Sequence, residues 1–293
     1  MSATPPVAMT IAGSDSGAGA GIQADLKAMG ALGVLATTAV TTVTAQNTSA
    51  VTGVHHLPVA FVELQITTVL ADLPVAAVKT GMLATAPVVA LVGRLAAEGR
   101  LPNLVVDPVM VSSSGHRLLE DGGIEAYRRH LLPQALVATP NLWEAALLAG
   151  MERDDLVGTD AMAEAARRIH RLGPRWVLVK GGHLDGVEPA AGGAHPEGVP
   201  DVLFDGGAVT VLTAPWVDTP NTHGTGCSLS AAIAARLASG AGVEAAVGDA
   251  KTYVHRALAG AAAWRLGRGH GPLDHLGVPP AAATSPGTTA AGS

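Results

Sequence analysis

The sequence has a single cysteine, two phenylalanines and two tyrosines among its 293 residues. With only Cys227 present, an intrachain disulfide and a cysteine-ligated zinc cluster are excluded, and a reducing compartment is implied. Aromatic residues make up 3% of the chain, so Val, Leu, Ile and Ala must fill any core, and base-stacking recognition of nucleic acid is disfavoured. Charge is equally sparse, at 14% of residues, with a formal net charge of −6 and no block of Lys and Arg. That balance argues against nucleic acid or an anionic membrane as a partner. Long apolar runs are missing too. The Ala-rich stretch after Cys227 is interrupted by Arg236 and Glu244, and Val7–Ala12 is too short and lacks a basic flank for a signal peptide. These absences point to a cytoplasmic protein.

Several motifs are also absent. No Gly-Lys-[Ser/Thr] occurs, which excludes a Walker A loop, and Gly17-x-Gly19-x-Gly21 does not have the spacing of a dinucleotide fingerprint. No Gly-x-Ser-x-Gly elbow of a hydrolase is present, and the histidines outside the motifs below have no metal-ligand spacing.

What remains is 48% hydrophobic and organised in short apolar runs: Val7–Ala12, Leu35–Val43, Ala76–Lys79, Leu104–Asp107, Leu136–Thr139 and Trp176–Lys180. Each leads into a loop of Gly, Ser, Asn or Pro and then a helical pattern, so the spacing predicts βα repetition around a mostly parallel sheet. Residues 7–276 read as one domain. Residues 1–6 read as a flexible leader, and 277–293, rich in Ala, Pro, Thr, Gly and Ser, as a disordered tail. Residues 185–207 read as an exposed loop or hairpin. In such a sheet ligands lie beyond the carboxyl ends of the strands, so the segments following each strand carry the chemistry.

The most informative of these is Asn221-Thr222-His223-Gly224-Thr225-Gly226-Cys227-Ser228, which runs into an Ala-rich helical stretch. Two glycines one residue apart expose backbone N–H groups, and the helix start adds its own free donors and positive dipole end. The product is an anion hole suited to a phosphoryl group, although a plain glycine turn before a helix has the same look. Elsewhere, Asp107 ends a strand for which Asp has little propensity, which suggests work near phosphate and magnesium. Asn141 and Glu144, in Asn141-Leu142-Trp143-Glu144, have the spacing of a helix-capping box as well as that of a phosphate and magnesium organiser. Lys180 ends a buried strand, a costly place for a cation unless it meets an anion. Gln46 offers both a donor and an acceptor to a ring edge, and Met82 an adaptable apolar wall.

Together these segments resemble the ribokinase superfamily, and Asn-Thr-His-Gly-Thr-Gly-Cys resembles the signature of its hydroxymethylpyrimidine/phosphomethylpyrimidine kinase branch, with Cys227 in place of the usual Asp of Gly-x-Gly-Asp. The resemblance extends from about residue 7 to Gly269-His270-Gly271-Pro272. It departs from the branch at Ser112-Ser113-Ser114-Gly115, where Ser113 replaces a lysine. The implied fold is α/β and ribokinase-like, with a central, mostly parallel sheet flanked by helices on both faces. The implied activity is phosphorylation of 4-amino-5-hydroxymethyl-2-methylpyrimidine and its monophosphate, in thiamin biosynthesis, with ATP and Mg2+, by a homodimer. It assigns Gly13, Asp25, Gln46, Gly81 and Met82 to substrate binding, with Asp25 on the amino group of the pyrimidine. Gly224, Thr225, Gly226 and Cys227 with Lys180 form the catalytic set. Asn141, Glu144, Lys180 and Thr222 meet the nucleotide phosphates, and Asp107 and Glu144 the metal, partly through water. Cys227 is read either as a thiolate base activated by the helix end or as a group that leaves room while the phosphate takes the proton. A pyridoxal kinase of the same fold and a silent ligand-binding protein are the alternatives.

Overall fold

The structure, a computed structural model, describes residues 4–110, 118–182 and 198–277. Nine strands form one sheet in the order β3-β2-β1-β4-β5-β6-β7-β8-β9. β1 (Val7–Asp15) lies between β2 (Leu35–Gln46) and β4 (Val75–Thr80), and the parallel run continues through β5 (Val105–Val106), β6 (Val137–Ala138) and β7 (Trp176–Lys180). All six apolar runs of the sequence are strands, and the fold is the ribokinase-like α/β one that it implied. The chain departs from strict βα repetition at both edges. β2 turns directly into β3 (Val51–His56), and β7 into β8 (Val199–Phe204) and β9 (Val209–Ala214), all antiparallel.

The expected excursion at 185–207 is therefore only partly exposed. Residues 183–197 lie outside the described residues, but Val202, Leu203 and Phe204 of β8 are buried against the sheet. The hydrophobic alternation of 199–204 is masked by Pro200 and Asp201, which is why composition alone reads it as loop. Pro6, in the expected leader, accepts a backbone hydrogen bond from Leu35 (2.9 Å), and the expected tail from 278 onward lies outside the described residues.

Strand residues alternate between two helical layers. Met9, Ile11, Val78, Val106, Val177 and Val179 face α2 (Val59–Asp72), α3 (Ala86–Ala97), α5 (Leu142–Ala149) and α6 (Gly158–His170); α4 (Gly123–Ala126) is a short turn beside α3. Ala8, Ala77, Val105, Val137 and Leu178 face α1 (Gly21–Ala31), α7 (Thr225–Ala238) and α8 (Val243–Ala261). Ala231, Ala232, Ala234 and Ala235 are wholly buried, so the small side chains of α7 let its axis lie close to the sheet and carry its N-terminus to the strand ends. β1 has parallel neighbours on both sides, and the connections from it leave in opposite directions. This is the switch point where α/β sheets open a crevice.

The chain closes with Tyr253 donating to the His275 carbonyl (3.0 Å), while His275 Nε2 lies 2.7 Å from Ser228 Oγ. Burial, then the nearby Lys27, pushes the His275 imidazole down to about 4. The unfolded chain thus takes up this proton more readily than the folded one. Stability present at neutral pH is lost as pH falls from about 6.5 toward 4, by on the order of 2 kcal/mol at pH 5. Denaturant titrations at pH 7 and pH 5 should resolve this loss, and His275→Gln should reduce it.

Candidate active site

A cavity of about 800 Å3 opens beyond the carboxyl ends of the strands and takes in nearly every segment singled out above. Gly224 makes its floor. Its φ of +88° suits glycine, and a β-carbon there would overlap the Gly19 carbonyl oxygen, so the loop before α7 packs directly on the loop after β1. The first intrahelical bond of α7 runs from Ser228 N to Gly224 O (2.8 Å). The amides of Gly226 and Cys227 precede it and are available to an anion, with the helix dipole behind them. Thr225 is different: its N–H and hydroxyl both bond the Thr222 carbonyl (3.2 and 2.7 Å), which fixes the loop.

Against this hole stand the buried charges of β5, β7 and α5. Lys180 Nζ donates to Asp107 Oδ1 (2.8 Å), and Ser230 of α7 donates to Asp107 Oδ2 (3.2 Å). A β-carbon on Gly226 would lie 3.1 Å from Lys180 Nζ and 3.9 Å from Asp107 Oδ2, so cation, carboxylate and anion hole are in contact. Burial works against the charge of Lys180, but Asp107 and Glu144 raise its pKa above the usual lysine value. Asn141 and Glu144 form a complete capping box: Asn141 Oδ1 accepts from Glu144 N (2.9 Å) and Glu144 Oε2 from Asn141 N (2.8 Å). Both readings of this motif hold at once, because the same residues line the cavity. Burial, opposed by Lys180 and reinforced by Asp107, pushes the Glu144 carboxyl up to about 7. Two buried carboxylates with one lysine between them leave negative charge that a divalent cation would offset. Their donor set fits a magnesium ion held largely through water, for among the described residues no three His, Cys, Asp or Glu side chains converge.

At the other end of the cavity lie Gly13, Gln46 and Met82. Gly13 allows Met82 to lie across β1, since a β-carbon would overlap the Met82 methyl group. Gln46 Oε1 accepts from Thr44 Oγ1 (3.2 Å), and its amide nitrogen lies 3.3 Å from His223 Nε2. Pro215, Trp216, Val217, Val254 and Leu258 give the cavity a largely apolar wall beside Thr222.

Three expectations need correction. Asp25 does not line the cavity. It is wholly buried on α1, both its oxygens accept from Lys79 Nζ (3.0 and 2.8 Å), and Oδ2 also accepts from Thr10 Oγ1 (2.6 Å). No lone pair faces a pyrimidine amino group. Gly81 is likewise behind the wall, making room for Lys79, whose Nζ would lie 2.7 Å from a β-carbon there. Cys227 is not an activated thiolate: burial, only partly opposed by Lys79, pushes its thiol up to about 11. The helix-end dipole is too weak to reverse that desolvation. His183 and Ser112–Gly115 lie outside the described residues.

The sequence reading also passed over Asp15, Lys79 and His223. Asp15 accepts from Gly17 N (2.8 Å), Gly19 N (3.0 Å) and Ala20 N (2.8 Å) and meets His223 Nε2 at 3.0 Å. A short acidic side chain in Gly-Ser-Asp-Ser-Gly is a turn signal that was available; its histidine partner, 208 residues away, was not. The Asp25 assignment yields a clear prediction. Asp25→Asn leaves Lys79 buried without its counter-charge and should cost about 3–5 kcal/mol in denaturant titration. A substrate contact would instead raise KM and leave stability unchanged.

The sequence profile of the family described as phosphomethylpyrimidine kinase matches residues 15–274. The hydroxymethylpyrimidine/phosphomethylpyrimidine kinase of Streptomyces coelicolor is 48% identical over 272 residues, covering 93% of this chain and 95% of that protein. The thiamine biosynthesis bifunctional protein ThiED of Geobacter sulfurreducens is 45% identical over 92% of this chain, which spans only 52% of that longer protein. Among solved structures, pyridoxal kinase of Bacillus subtilis in complex with ADP superposes with a TM-score of 0.81 at 38% identity, covering 93% of this chain and 98% of the other. With the glycine-opened helix end, the Asn-x-x-Glu box and the strand-end lysine in one cavity, the chain belongs to the phosphomethylpyrimidine kinase family.

Proposed function

We propose that this protein transfers the terminal phosphoryl group of ATP to the hydroxymethyl group of 4-amino-5-hydroxymethyl-2-methylpyrimidine, and then to the resulting monophosphate, in thiamin biosynthesis. The observation that carries this reading is the contact of Lys180 and Asp107 with Gly226 at the start of α7. Phosphoryl transfer demands positioning and charge neutralisation more than covalent chemistry, and this contact puts a cation, a carboxylate and free amides around one point.

The Gly226 and Cys227 amides hold the transferring group, Lys180 offsets its charge, and Thr222 and Asn141 lie along the cavity toward the apolar wall, where the nucleotide is seated. Magnesium, held by Asp107 and Glu144 chiefly through water, would supply charge neutralisation between the phosphates. Gln46 addresses the ring edge of the pyrimidine and Met82 packs on its face. With its thiol raised to about 11, Cys227 stays neutral and leaves room at the hole, and the alcohol proton passes to the phosphoryl group rather than to sulfur. We further assign the protein to the cytoplasm as a homodimer; no helix of the described residues is long and apolar enough to cross a membrane.

A second reading, pyridoxal kinase, is favoured by the likeness to the Bacillus subtilis enzyme. A magnesium-ATP assay with the pyrimidine and pyridoxal in parallel, resolving mono- and diphosphate products, separates the two. Pyrimidine diphosphate is the expected product; pyridoxal phosphate alone overturns the substrate assignment and leaves the phosphate machinery standing. In the same assay Cys227→Ala should lower turnover by only a few fold with an unchanged pH profile. A loss of about 100-fold or more would restore the cysteine as the base.

A further inference from the structure

The two proposed acceptors differ in charge. The alcohol is neutral, whereas the monophosphate brings a near-dianion into the same end of the cavity. In the first transfer the alcohol oxygen forms its bond to the γ-phosphorus, the bond to the bridging oxygen breaks with its electron pair leaving on ADP, and a proton must be lost. In the second transfer the attacking oxygen belongs to a phosphate and is already deprotonated. The bond changes are the same, no proton need leave, and the difficulty becomes repulsion between two phosphates.

The acceptor end of the cavity is poorly equipped for that repulsion. Its carboxylate, Asp15, lines the wall, and the cations near it are committed. Lys79 is wholly buried with both oxygens of Asp25, and Lys180 is held on Asp107. Among the described residues, the remaining basic group at this end is His223. It lines the cavity at the entry to the anion hole, immediately before Gly224, with 12% of its side chain exposed. Its Nε2 is 3.0 Å from Asp15 Oδ2 and 3.3 Å from the Gln46 amide nitrogen, so it touches the residue that addresses the pyrimidine ring. Its main chain is fixed by a hydrogen bond from His223 N to the Gly271 carbonyl (3.1 Å). Asp15 in turn is immobilised by the three backbone N–H groups it accepts, and these hydrogen bonds with the contact to His223 outweigh burial and hold its carboxyl below the usual value. A carboxylate fixed in this way favours a proton on the imidazole beside it, and imidazole is the side chain suited to gaining charge near neutral pH.

We infer that His223, seated on Asp15, is the residue that lets this cavity take an acceptor already bearing a phosphate: as imidazolium it offsets the acceptor phosphate in the second transfer. It is a specificity-determining residue for phosphate over alcohol acceptors, and the inference rests on the proposed two-step function. Asp15 has the complementary part of holding the imidazole in place and sharing its proton.

The test is His223→Gln, which keeps a hydrogen-bonding group of similar reach but cannot take the charge. In one preparation, kcat/KM is measured with saturating magnesium-ATP for the pyrimidine alcohol and for its monophosphate. The fraction of folded enzyme cancels in the ratio, and a thermal melt checks that a folded fraction exists. Should the glutamine variant give no melt, the same ratio is taken from His223→Asn. The ratio of monophosphate to alcohol efficiency is expected to fall by at least about tenfold, through a raised KM for the monophosphate. Equal losses on both acceptors, a larger loss on the alcohol, or no loss on either overturns the inference. Wild-type protein that makes no diphosphate overturns the two-step function and this inference together. Wild type that makes it, with an unchanged ratio in the variant, overturns the inference alone.

Discussion

Buried charge at the strand ends is the constraint around which this molecule is arranged. A carboxylate or ammonium group withdrawn from water costs several kcal/mol unless an opposite charge and hydrogen bonds replace its hydration. Here each buried cation lies on one element and its carboxylate on another: Lys79 of β4 on Asp25 of α1, Lys180 of β7 on Asp107 after β5, and Lys251 of α8 on Asp201 of β8. The pairs therefore act as ties between layers. Asp201 also accepts from Gly181 N (2.8 Å), so the turn that follows Lys180 is held by the same pair that anchors α8.

Those ties leave an uneven result that suits the chemistry. Lys79 and Asp25 neutralise each other behind the wall, whereas Lys180 faces two carboxylates, Asp107 and Glu144, inside the cavity. The surplus negative charge raises Glu144 and, with burial, keeps Cys227 protonated. A site of this kind is incomplete without a divalent cation and an incoming polyphosphate, and the free amides of α7 lie opposite. The small residues of α7 matter as much as the charges. Without the buried alanines the helix could not approach the sheet, and without Gly224 its N-terminus could not pack on the Gly19 carbonyl.

Much of this was legible in the residues themselves. The parallel strands could be read because buried strands are continuous apolar runs, and the anion hole because only glycine allows that turn. The capping box could be read because its spacing is local. The edge hairpins could not: β3 carries Gly53, His55 and His56, and β8 begins with Pro200 and Asp201, so their pairing comes from the neighbouring strand rather than from their own pattern. The site residues divide in the same way. Gln46, Met82, Glu144 and Lys180 line the cavity, as their position after a strand implied, while Asp25 sits one helical turn too far in, where only the location of Lys79 decides what it can bind.

The sequence by itself determined the fold class, the reaction class and the phosphate-binding elements, because each depends on local conformation: a strand end, a glycine turn, a helix start. Only the tertiary structure decided which charges meet. Ion pairing depends on distance through space, and Asp25 with Lys79, or Asp15 with His223, come together by the crossing of strands and helices far apart in the chain. The same packing desolvates Cys227 and so removes the basic role that its place at a helix end had suggested.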